Sequence, residues 1–163
     1  MSIGIVSIPP ASTPCSDDES CELLVHADGW FSAIDLHAFR ATMRVGTAVT
    51  DARLREAVLK AMVTTLRDVS AWRSEQVLCG IEHVSLVPGP ELDAGSWYEN
   101  RWRTAVYNYA CAELAETHRD VTATGDGSDR AEDKALSADD YRRDALHAVR
   151  DILGVTRIVA ELI

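Results

Sequence analysis

Asp140, Asp144, His147 and Asp151 recur at spacings of four, three and four residues. On a helix this sets three carboxylates and an imidazole along one stripe. Oxygen and imidazole donors of this kind ligate divalent metals. Bundles that hold two metals draw ligands from several helices, typically with two Glu-x-x-His motifs, whereas the neighbouring apolar helix here offers only Glu113 and Glu116. Arg142, Arg143 and Arg150 interleave with the acids, so a solvated or interface stripe is the plainer reading. A free-standing metal- or ligand-binding helical bundle built on these four residues stands as the alternative function.

A second acidic stretch, GDGSDRAED, opens with Asp126, Ser128 and Arg130. A calcium loop needs oxygen donors at its first, third and fifth positions, Gly at the sixth and a bidentate Glu at the twelfth. Counted from Asp126, the fifth slot is Arg130, the sixth Ala131 and the twelfth Ser137. A cation where a ligand belongs leaves a solvated connection. His26, His37, His83 and His118 are scattered, and no Gly-rich phosphate loop, GxSxG elbow or HExxH occurs. Cys15, Cys21, Cys79 and Cys111 form no CxxC pair and lie near no His at zinc spacing, so they read as free thiols in a reducing cytoplasm. Trp97, Tyr98, Trp102, Tyr107 and Tyr109 fall at helical spacing and read as core. The chain therefore offers no catalytic residue, no cofactor site and no metal site, and is expected not to be an enzyme.

These residues must be positioned by helices. At 163 residues the chain fits one domain with a real core. Its net charge is −10, and only Lys60 and Lys134 are lysines. Such a surface repels DNA and anionic lipid, which excludes sequence-specific nucleic-acid binding. No window approaches the ~20 apolar residues of a membrane span, and the N-terminus has no signal-peptide pattern.

Capping signals and apolar periods predict four helices. The first spans 33–44, opened by Ser32 with Asp35 and carrying Ile34, Phe39 and Met43, and Gly46 stops it. The second spans 51–78, capped by Thr50, with Leu54, Val58, Ala61, Met62, Thr65, Val69 and Trp72 on one face. The third spans 96–118, opened by Ser96 with Glu99, and is apolar on most sides, as a central helix is. The fourth spans 137–152, opened by Ser137 with Asp140 and closed by Gly154. The stretch LVPGPELDAGS, carrying Pro88, Gly89, Pro90 and Gly95, reads as a loop. The expected architecture is all-α, a four-helix adaptor bundle over 32–154, with an extended N-terminal arm over 1–31 and an extended C-terminal tail over 155–163. One strand is expected in the arm near Ile3 to Ile8.

Four collinear pieces, AIDLHAFRATMRV, VTDARLREAVLKAM, WYENRWRTAVYNYACAELAETHRD and DYRRDALHAVRDILGVTRIVAELI, together resemble the head completion protein family of P2-like tailed phages from Trp30 to Ile163. The resemblance implies a virion protein of the head–tail connector, assembled in the host bacterial cytoplasm. It implies a ring oligomer, dodecameric in the virion, that sits below the portal protein ring after packaging, extends the DNA channel and meets a tail or stopper component. The tail VTRIVAELI is β-branched and ends on bare hydrophobes, which suits strand addition to a partner. Ile158, Val159, Leu162 and Ile163 are the expected portal or subunit interface.

Overall fold

The computed structural model describes residues 23–92, 95–122 and 137–155. The strand expected near Ile3 to Ile8, the loop around Asp126 and the tail residues Ile158, Val159, Leu162 and Ile163 lie outside the described residues. In chain order the elements are β1 (Leu24–Val25), β2 (Ile34–Asp35), α1 (Leu36–Met43), α2 (Asp51–Asp68), α3 (Ser70–Leu78), a 3-10 turn (Val84–Leu86), β3 (Glu91–Leu92), β4 (Gly95–Ser96), α4 (Trp97–Thr122) and α5 (Ala138–Ile152). β1 pairs antiparallel with β2, Val25 opposite Ile34, and β3 pairs antiparallel with β4, Leu92 opposite Gly95.

The described chain is mostly helical, as expected, but it is not a simple four-helix bundle. Five helices are present among the described residues, with α4 in the middle, packed chiefly against α5 and α2. Three ion pairs and one hydrogen bond fix both packings as antiparallel. Glu116 meets Arg142 while Arg101 meets Asp151, and Lys60 meets Glu113 while Tyr109 bonds Asp68. Leu54, Ala57, Val58, Ala61, Met62 and Thr65 on α2, and Trp102, Ala105, Val106 and Ala110 on α4, are buried at the three-and-four spacing of one face. Ala145, Ala148, Val149 and Ile152 form the buried side of α5. Each large apolar side chain so buried contributes about 1.5–3 kcal/mol.

The expected second helix is divided. α2 stops at Asp68, α3 starts at Ser70, and Val69 between them has φ −99 and ψ 7. Hydroxyls flank the break: Thr65 donates to Ala61 O at 2.9 Å and Ser70 to Arg67 O at 2.8 Å. Such back-bonding competes with the helical ladder and bends helices. The turn lets Val69 stay fully buried.

The first helix also starts later than expected. Asp35, not Ser32, caps α1, accepting from His37 N at 2.7 Å and Ala38 N at 3.3 Å. Ser32 instead donates to Glu99 of α4. At the other end Arg44, rather than Gly46, takes the left-handed conformation that stops the helix. Arg40 then ties the connection, donating to Gly46 O at 2.8 Å and Val49 O at 2.9 Å and pairing with Asp51 at 2.6 Å.

The stretch 23–31, read as arm, belongs to the body. Val25, Trp30 and Phe31 are buried, and Asp28 Oδ1 accepts from the backbone N–H groups of Trp30 and Phe31. Trp30 Nε1 donates to Ile81 O at 3.0 Å, and Trp30 O accepts from Val84 N at 3.0 Å. The segment after α3 is likewise held, with Val84 and Val87 buried.

Candidate interaction surface

The four residues of the metal-like stripe do sit on α5, but the structure gives three of them other partners. Asp140 closes the capping box, accepting from Ser137 N at 3.1 Å and Ser137 Oγ at 2.8 Å while Ser137 Oγ accepts from Asp140 N at 3.2 Å. It also pairs with Arg143 at 2.9 Å. The hydrogen bonds from Ser137, then Arg143, hold its carboxyl below the usual carboxylate value. Asp144 lies 4.0 Å from Arg143 Nε, and Asp151 pairs with Arg101 of α4 at 3.3 Å. His147 is half-buried on the same helix. Among the described residues no three His, Cys, Asp or Glu side chains converge as a metal group.

The remaining titratable candidates serve the fold. His83 Nδ1 accepts from Ser85 N at 3.1 Å and caps the 3-10 turn. Cys111 is buried and its thiol is pushed up to about 12 by burial, while Cys79 is exposed, and both are free. Tyr109 is pushed up to about 12, by burial first and then by Asp68, to which it donates at 3.2 Å. A small hollow of about 70 Å³ is lined by Ser32, Ala33, Ile34, Glu99, Trp102 and Arg103. Sites for drug-sized ligands run to ~300–1,000 Å³, so this one admits at most solvent.

The aromatic residues pack as core, joined by two that spacing alone did not bring together with them. Phe31 stacks on Trp102 with centroids 4.2 Å apart, and Trp30 lies edge-on to Phe31 at 4.7 Å and to Trp72 at 5.8 Å. Trp72 stacks on Tyr98 at 5.2 Å, and Tyr98 meets Trp97 at 4.9 Å. Trp102 Nε1 donates to Ser32 O at 3.0 Å. Arg73 pairs with Asp28 at 2.6 Å beside the Trp30 ring, and Arg101 lies 5.7 Å from the Trp97 centroid. The signal for Trp30 and Phe31 was their own bulk: two adjacent large aromatics are seldom left in solvent.

Leu146 and Leu153, seven residues apart and hence on one face of α5, are exposed, and so is Val155 just after the helix. The helix ends in a Schellman motif, with Val155 N donating to Arg150 O at 3.0 Å and Gly154 N to Asp151 O at 3.3 Å. Gly154, at φ +66, supplies the left-handed residue that this motif needs. The exposed apolar face therefore leads directly into residues 156–163, which hold the four expected interface residues. No helix among the described residues is long and apolar enough to cross a membrane.

Residues 25–163 match the model of the family described as phage head completion protein (GPL). The head completion/stabilization protein of Escherichia phage P2 is 31% identical over 134 residues, 82% of this chain and 79% of that protein. No solved structure matches.

Proposed function

The chain belongs to the phage head completion protein family, and on that premise we propose that it is a non-enzymatic adaptor of the head–tail connector. It assembles with copies of itself into a ring below the portal once DNA is packaged, and extends the channel toward a tail or stopper component. In this reading the subunits form in the host cytoplasm and end in the virion. An acidic subunit suits the task, because a channel that DNA must traverse should not hold its phosphates.

The observation that supports the interface most directly is the exposed face of Leu146, Leu153 and Val155, running through the Gly154 turn into the tail. Ile158, Val159, Leu162 and Ile163 continue that apolar character. Burying each of them is worth about 1.5–3 kcal/mol, and strand addition to the portal would supply main-chain hydrogen bonds as well. Deletion of residues 155–163 tests the reading. The truncated protein is expected to keep its helical dichroism and melting temperature and to lose binding to purified portal rings. Retained binding, or loss of stability alone, refutes the tail as the interface.

A further inference from the structure

Leu146, Arg150 and Leu153 follow one another along the outer face of α5, four and three residues apart, and all three are exposed. Side chains at this spacing stand ~5–6 Å apart at Cβ and form one row. Arg150 has no ion-pair partner among the described residues. The positions three and four residues from it are Leu146, His147, Leu153 and Gly154, so no carboxylate of its own helix reaches it. The carboxylates elsewhere on α5 are engaged, Asp139 by Arg142, Asp140 and Asp144 by Arg143, and Asp151 by Arg101. What this face presents is one unanswered guanidinium between two leucines.

The converse surface lies on α3 and the segment after it. Glu75 and Leu78 stand three residues apart on one side of α3, and Leu78, at 86%, is the most exposed large hydrophobic side chain among the described residues. Glu75, with Glu82 and Glu91 beyond it, is exposed and has no ion-pair partner among the described residues. No Lys or Arg occurs between Ser74 and Asn100, and Arg73 just before is held by Asp28. Within one chain the two surfaces do not cover each other, since both are exposed.

We propose, resting on the ring reading above, that they are the two halves of the contact between neighbouring copies. Leu78 of one copy seats between Leu146 and Leu153 of the next, which are about 10 Å apart along the helix axis, and Glu75 reaches Arg150. Charge selects this pairing over the other two that a second copy offers. Two α5 faces would bring Arg150 against Arg150, and two α3 helices Glu75 against Glu75. The contact is therefore heterologous, and repeated from copy to copy it closes a ring or grows a filament. It leaves residues 155–163 for the portal. Repulsion between copies of net charge −10 is long-range and screened by salt, whereas a pair closed inside the seam is screened much less.

Sedimentation equilibrium of the full chain tests the pairing without the portal. Self-association is expected as concentration rises, and Glu75→Arg or Arg150→Glu alone is expected to weaken it at least about tenfold, since each sets like charges face to face. An equimolar mixture of the two variants is expected to recover it, because every contact between unlike variants again joins opposite charges; recovery also shows that both variants are folded. A monomeric unsubstituted chain, single variants that associate as it does, or a mixture no better than its parts overturns the proposal. In a mixture of differently methyl-labelled chains, nuclear Overhauser contacts are expected from Leu78 of one chain to Leu146 or Leu153 of the other, and their absence overturns it too. Portal binding is read separately. A chain that binds portal rings but fails these tests keeps the adaptor reading and loses this seam, whereas the charge-exchange pattern in a chain that ignores portal rings keeps the seam and loses the portal.

Discussion

Arg44 stands at φ 53 and ψ 37, the one non-glycine residue at positive φ among the described residues. An L side chain in the left-handed region costs roughly 1–2 kcal/mol, and part of that is recovered by any residue without a Cβ. Arg44→Gly is therefore expected to stabilise the protein by about 0.5–1 kcal/mol, read as a higher urea midpoint at unchanged slope. Asp140 gives a second case in which one side chain decides a helix end. Its carboxyl is lowered because the ionised form accepts from Ser137, so the stabilisation it gives is present above the unfolded value and is lost as pH falls through the folded one. Ser137→Ala is expected to move the Asp140 titration upward when followed by NMR. The thiols divide in the same local way. Brief alkylation followed by peptide mapping is expected to modify Cys79 and to leave Cys111, buried and pushed up to about 12, untouched.

Gly154 turns the chain out of α5 through a 6→1 and a 5→2 hydrogen bond, so it sets the direction in which the tail leaves. Gly154→Ala is expected to cost about 1–2 kcal/mol in chemical denaturation and, on the proposed interface, to weaken portal binding more than the stability loss explains. Much at this scale was legible in the sequence. The capping boxes at Ser96 with Glu99 and Ser137 with Asp140 are both formed, Thr50 caps α2, and the apolar period placed Leu54, Val58, Met62 and Val69 in the core. Those signals are short-range and fall within one or two turns. The division of the second helix was not legible, because Thr65 and Ser70 read equally well as ordinary helical residues until tertiary burial of Val69 selects the bend. Ser32 was misread for a similar reason. Its hydroxyl has two possible partners, the helix just ahead and a carboxylate sixty-seven residues on, and only the fold brings Glu99 within reach. The exposed apolar face of α5 left no mark either, since Leu146 and Leu153 differ from core leucines only in what fails to pack on them.

Taken whole, each subunit carries a net charge of −10, and a ring gathers that charge many times over. If copies assemble as proposed, like-charge repulsion opposes closure, and it is screened over about 8–10 Å at physiological ionic strength. Assembly is accordingly expected to increase as salt is raised from low concentration, measured as the ring fraction in sedimentation; insensitivity to salt would place the seam away from the charged faces. The aromatic packing has a different consequence, for what light can report. All four tryptophans of the chain, Trp30, Trp72, Trp97 and Trp102, belong to one connected aromatic seam between residues 23–31, α3 and α4. Intrinsic emission therefore watches that seam and is nearly blind to the outer face of α5. The guanidinium of Arg101 links the two, lying beside the Trp97 ring while pairing with Asp151 near the end of α5. Whatever seats itself on the end of α5 and disturbs Asp151 should thus change the brightness or colour of Trp97 first, which makes the protein its own optical probe for capture by a partner.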